Sequence, residues 1–290
     1  MNLNKKCYGI LKELEDVAEV TEYDHVRILD LGINKDAGEE AAIKVAEVTM
    51  GSLGEVRLED TRIRVTIPEK PSVACLSCQL AGWAIPIGDK NKLGSGPARI
   101  LAKKPSDIVD RIAYHEKSDK AVIAIETSVL PDEKTCNYIL EETGAKELII
   151  AAFRENSGVG LVNIMARVVE MALFRLDNLG YDTNQIISAE GTAPLPRLDD
   201  RIMFTSNDAI IYGGSVRIEV NDWDAGLTEK AVSKASKFYG KSFEEILNEA
   251  SGDFYNIDPD IFAPAELDIS FEGNHYHVGS VDRDILDKLL

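Results

Sequence analysis

The stretch KAVIAIETSVLPDEKTCNYILEETGAKELIIAAF, residues 120–153, decides the fold class. KAVIAIE (120–126) and KELIIAAF (146–153) are short apolar runs rich in branched residues, as buried strands are. Between them PDEKTCNYILEETG (131–144) reads as a helix, with Pro131 in its first turn and Gly144 at its end. Two strands joined by a crossover helix pair in parallel, so the segment is a βαβ unit.

Upstream, VRILDLGI (26–33) reads as a buried strand, AGEEAAIKVAEVTMG (37–51) as a helix closing on Gly51, and VRLED and TRIRVTI as strands. Downstream a long helix is expected from about Gly160 to Leu179, stopped by Gly180. It is followed by a strand in NQIISAEGTAPLPRLDD, an Asn-Asp turn with strand material in TSNDAIIYGGSVRIEV, a helix in FEEILNEA and a closing strand pair. The fold class is α/β or mixed α+β. At 290 residues the chain exceeds the usual single domain. Two α/β lobes with a cleft between them are expected, one from 1–102 plus 200–290 and one from 103–199 carrying the long helix.

The charge is −18, from 32 Lys and Arg against 50 Asp and Glu. That balance argues against nucleic acid or an anionic membrane as the main partner. No run reaches the ~18 apolar residues of a membrane span. The first residues lack the apolar core of a signal peptide, so a cytoplasmic location is expected. Cys75 and Cys78 form a lone C-x-x-C without a second ligand pair, read as small buried side chains rather than a zinc site. His275 and His277 alternate on one strand face, read as exposed rather than as metal ligands.

Within the long helix, Asn163, Arg167 and Glu170 fall at i, i+4 and i+7 in otherwise apolar sequence. They form one narrow stripe. It is either an ordinary i, i+3 ion pair or a functional carboxylate with its partner. Desolvation favours the neutral acid while a neighbouring guanidinium favours the anion, and the two together can set a base working near neutral pH. A second candidate is GDKNKLGSGPARIL (88–101). There Gly94, Ser95 and Gly96 permit close backbone approach and Pro97 suits a helix start, serving either a structural turn or a ligand cradle. The segment fits neither the phosphate-loop nor the dinucleotide pattern.

QLAGW (79–83), GSGPAR (94–99), LPDEK (130–134), ARVVE (166–170), GTAP (191–194), ND-x-I-x-YGG (207–214), DFY-x-IDP (253–259) and FAPA (262–265) stand in one order along the whole chain. In that order the chain resembles the archaeal methenyltetrahydromethanopterin cyclohydrolase family. The resemblance implies reversible hydrolysis of a cyclic amidinium to a formyl derivative, a pterin substrate, no metal or redox cofactor, and a homotrimer. It implies Arg167 and Glu170 as the catalytic pair. Gln79, Gly94, Ser95, Gly96, Pro97, Asn163, Asn207 and Asp208 are the substrate-binding candidates.

The chain departs from the family pattern in four respects. Phe204 and Thr205 replace a glycine and an arginine, Asn163 replaces a glutamine, Lys90 and Asn91 replace aromatic residues, and the chain is shorter. Two other readings remain open: a divergent relative acting on another cyclic amidine or one-carbon carrier, and a pterin-binding protein without turnover.

Overall fold

The computed structural model describes residues 2–253 and 256–290. In chain order the elements begin with α1 (Leu3–Lys12), β1 (Glu19–Tyr23), β2 (Val26–Asp30), α2 (Gly38–Thr49), β3 (Glu55–Glu59) and β4 (Arg62–Ile67). A π-helix (Val73–Gln79) precedes β5 (Trp83–Ile87), β6 (Lys90–Ser95), α3 (Ala98–Ala102) and α4 (Ser106–Ile112). Then come β7 (Lys120–Glu126), α5 (Glu133–Thr143), β8 (Glu147–Phe153), α6 (Gly158–Met165) and α7 (Val168–Asn178). The rest is β9 (Ile186–Pro194), α8 (Ile202–Gly213), β10 (Ser215–Val220), α9 (Phe243–Glu249), β11 (Glu266–Phe271), β12 (Asn274–Gly279) and α10 (Arg283–Leu289). Among the described residues no helix is long and apolar enough to cross a membrane.

The chain divides into two compact units, one of the residues up to Val56 with Ser72–Asn163, the other of Arg57–Pro71 with Ile164–Leu290. β4 is hydrogen-bonded to β9, more than a hundred residues later, which carries the segment around 57–71 into the second unit.

In the first unit the sheet order is β1-β2-β8-β7-β6-β5, with β2, β8 and β7 parallel. The expected βαβ unit is β7–α5–β8. The Asp132 side chain accepts from the Thr135 amide at 2.8 Å to start α5, and Gly144, at φ 66°, ends it. Pro131 lies just outside that cap rather than in the first turn. Both strands are buried on both faces, as parallel strands are. Ile123, Ile125, Leu148 and Ile150 pack with Cys136 and Ile139 of α5, while α1 and α2 also pack on β7.

In the second unit the order is β12-β11-β10-β9-β4-β3, with β10 and β11 parallel and β9 antiparallel to both β4 and β10. Here α7 and α8 pack on the sheet. Burial alternates along β10 and β4, the pattern of a sheet with one covered face.

Two further expectations are corrected. The long helix is broken: α6 ends at Met165, Ala166 and Arg167 form a turn, and α7 begins at Val168. Arg167, at φ −80° and ψ 3°, bonds its amide to the Ile164 carbonyl at 3.0 Å, a tightened i to i+3 turn. No glycine or proline announces the break. Asn207 and Asp208 lie inside α8 rather than in a turn, because the apolar run Ala209–Tyr212 is buried as helix against β9.

Candidate active site

Arg167 is the N-cap residue of α7 and Glu170 stands in its first turn. Glu170 is 5% exposed, and its Oε2 lies 3.6 Å from Arg167 Nη1. That distance makes a coulombic pair rather than a close hydrogen bond. Burial opposes the carboxylate's charge. The guanidinium and the positive end of the helix dipole support it. The arrangement is a desolvated, oriented carboxylate of the kind that takes a proton from water.

The two valines between the charged residues fix this turn on the sheet. A Cβ added at Gly191 of β9 would lie 2.8 Å from Val169 Cγ2 and 2.9 Å from Val168 Cγ1. Only glycine lets α7 sit this close. Further along the helix Arg175 donates from Nε to the Lys230 carbonyl at 2.8 Å and from Nη1 to Asp260 Oδ1. Phe174 meets Phe262 edge to face. These side chains, clamping α7 at both ends, were not singled out from the sequence. Gly191 inside a strand is a local signal for the contact with Val168 and Val169 alone.

The remaining candidates divide between the units. Asn163, near the end of α6, is 4% exposed, and its Oδ1 has no hydrogen-bond partner among the described residues. Gln79 closes the π-helix and is fully buried. Gly94 and Ser95 end β6, paired with Ile125 and Ala124. A Cβ at Gly94 would lie 2.6 Å from Ile85 Cδ1, and at Gly96, which takes φ +128°, it would lie 3.1 Å from the Val122 carbonyl oxygen. Each glycine thus has a packing reason of its own. The Pro97 carbonyl accepts from Asn4 Nδ2 at 2.9 Å. Gly96 donates its amide to the Cys78 carbonyl at 2.8 Å, which brings the GSGP loop and the residue next to Gln79 together.

On α8, Asn207 donates to the Met203 carbonyl at 2.7 Å. Asp208 is 1% exposed and its Oδ1 accepts from the Phe243 amide, at the start of α9, at 2.7 Å. Burial pushes the Asp208 carboxyl up to about 7. Of the positions that depart from the family pattern, Thr205 is buried on α8, and Lys90 and Asn91 are exposed on β6. Phe254 and Tyr255 of the DFY motif lie outside the described residues.

Cys75 and Cys78 are buried in the π-helix. His277 bonds Asp268 at 2.8 Å on an exposed strand. Among the described residues no three His, Cys, Asp or Glu side chains converge as a metal site. A depression of about 510 Å³ along α5, lined by Glu133, Asn137 and Tyr138, contains none of the candidates.

Comparison with known proteins gives a consistent result. The family model described as Cyclohydrolase (MCH) matches residues 5–289. The methenyltetrahydromethanopterin cyclohydrolase of Methanocella arvoryzae is 38% identical over 309 residues, covering 98% of this chain and 96% of that protein. The protein of the same name from Methanospirillum hungatei is 39% identical over 274 residues, covering 89% and 87%. That from Methanocaldococcus jannaschii is 32% identical over 317 residues, covering 100% and 98%.

Proposed function

The chain belongs to the methenyltetrahydromethanopterin cyclohydrolase family, and on that premise we propose that it converts methenyltetrahydromethanopterin and water, reversibly, to formyltetrahydromethanopterin, with Glu170 as general base. The observation that carries the assignment of roles is the pair of half-buried Arg167 and buried Glu170 at the start of α7.

The substrate carbon sits between two nitrogens that share a positive charge, so it is already electrophilic. This reading therefore requires neither a metal nor a redox group. Water attacks that carbon while Glu170 takes one of its protons, and the neutral adduct carries a hydroxyl. The carboxyl returns the proton to the departing nitrogen as the C–N bond breaks. The hydroxyl proton leaves as the formyl carbonyl forms, so one proton is released per turnover. Arg167 holds the carboxylate in place, and the anion it maintains also favours the cationic substrate.

The test is Glu170→Gln, followed by the decay of the methenyl chromophore. Turnover should fall by roughly 10²–10⁴-fold, the usual worth of a positioned base, with an unchanged melting midpoint. Near wild-type turnover would overturn the assignment. The same reading expects activity insensitive to chelators, a cytoplasmic enzyme and a homotrimer. Light scattering checks the last against the 31.9 kDa chain.

A further inference from the structure

Arg99 is a fully buried guanidinium. Its Nε donates to the Lys104 carbonyl at 2.8 Å, and its Nη1 donates to the carbonyls of Leu76 at 3.0 Å and Cys78 at 3.2 Å. Burying a cation is costly, and a fold that does so has a use for it. Here the carbonyls of Leu76 and Cys78 belong to the last turn of the π-helix Val73–Gln79, the end where a helix carries partial negative charge. A π-helix of this length is rare, and such segments recur at functional sites. Its final bond runs from the Leu80 amide to the Cys75 carbonyl at 2.7 Å, across five residues.

Two of the sequence motifs meet at this guanidinium. GSGPAR supplies Arg99 and the Gly96 amide, both bonded to the Cys78 carbonyl. QLAGW supplies Gly82, where an added Cβ would lie 2.8 Å from Arg99 Nη2 and 2.6 Å from Pro105 Cδ. Gln79 stands in the chain between the Cys78 carbonyl, which Arg99 and Gly96 bond, and the Leu80 amide that makes the last π-helical bond.

We propose that Arg99 is a positioning residue, which braces the carbonyl end of the π-helix from inside the first unit and so fixes the Gln79 amide in the conformation that meets the pterin. The Gln79 part rests on the function proposed above. The brace itself does not.

The test uses Arg99→Lys, which keeps the charge but not the fork that spans two carbonyls, and Gly82→Ala, which presses on the guanidinium from the opposite side. In both variants, amide hydrogen exchange at Leu80 and Gly96 should quicken while exchange within α5 of the same unit stays at the wild-type rate. Unchanged exchange at those two amides, or a uniform increase across the unit, would overturn the brace. In the chromophore assay both variants should raise KM by about fivefold or more with kcat within about twofold, the signature of lost ground-state and transition-state binding alike. Gln79→Ala should do the same, and the Arg99→Lys, Gln79→Ala double variant should be no worse than Gln79→Ala alone. Additive effects would show that Arg99 does not act through Gln79. A wild-type protein that leaves the methenyl pterin intact would overturn the proposed function, and with it the role of Gln79, leaving the brace to be decided by the exchange rates.

Discussion

Asp208 shows how one side chain can cost a fold stability while serving it. It lies inside α8 with its Oδ1 bonded to the Phe243 amide, and desolvation, outweighing that bond and the nearby Arg201, lifts its carboxyl from the ordinary range to about 7. Glu244 and Glu245, facing it from α9, push in the same direction as burial. An unfolded aspartate titrates near 4. Between about pH 4 and 7 the native state therefore holds a proton that the unfolded state has released, and stability falls as pH rises through that window and then levels. Asp208→Asn keeps an acceptor for the Phe243 amide and removes the charge. In urea unfolding at pH 8 it should be more stable than wild type by roughly 2–4 kcal/mol, with the gain shrinking toward zero near pH 4. An equal gain at both pH values would show that charge burial is not the cause. The Arg167–Glu170 ion pair was legible in the sequence because three residues of spacing and apolar flanks are local facts. The tie from Asp208 to Phe243 spans 35 positions and leaves no local trace.

The elements that could be read were those whose signals are written at their own ends. β7, α5 and β8 came within a residue or two of expectation, since Asp132 and Gly144 cap the helix and the strands are unbroken apolar runs. The break between α6 and α7 could not be read, because Met165, Ala166 and Val168 continue the helical pattern across it. In α8 the residues Ile210, Ile211 and Tyr212 favour strands, and packing against β9 overrides that preference. α7 in turn depends on the strand beneath it. Gly191→Ala would drive a methyl into Val168 and Val169, whose contact holds the Arg167–Glu170 turn. Overpacking of this kind costs about 1–3 kcal/mol. A displacement of the base of about 1 Å can cost up to about a hundredfold in rate. The variant should therefore melt earlier and lose kcat well beyond what its folded fraction explains. A kcat that tracks the folded fraction would show that α7 does not carry the base.

For the whole molecule the dominant physical fact is charge, −18 over 290 residues. It was fully legible in the sequence, whereas the interleaving of the two units was not. β4 joins β9 through pairing at long range, and a chain that crosses from one unit to the other and back offers no compositional seam. The charge makes a prediction of its own. Surface ion pairs such as Lys241 with Glu249 and Arg201 with Glu244 each contribute about 0–1 kcal/mol and weaken in salt. The excess of acidic groups repels itself over longer distances, and that repulsion destabilises the compact state. Raising potassium chloride from about 0.1 to about 1 M shortens the screening length from about 10 to about 3 Å. Both effects are reduced, but the net repulsion involves every acidic group while the pairs involve a minority of them. The melting midpoint should therefore rise by several degrees with salt at pH 8. A midpoint that stayed level or fell would mean that the ion pairs outweigh the excess charge, and the surface would then have to be understood as a network of attractions rather than as a field of one sign.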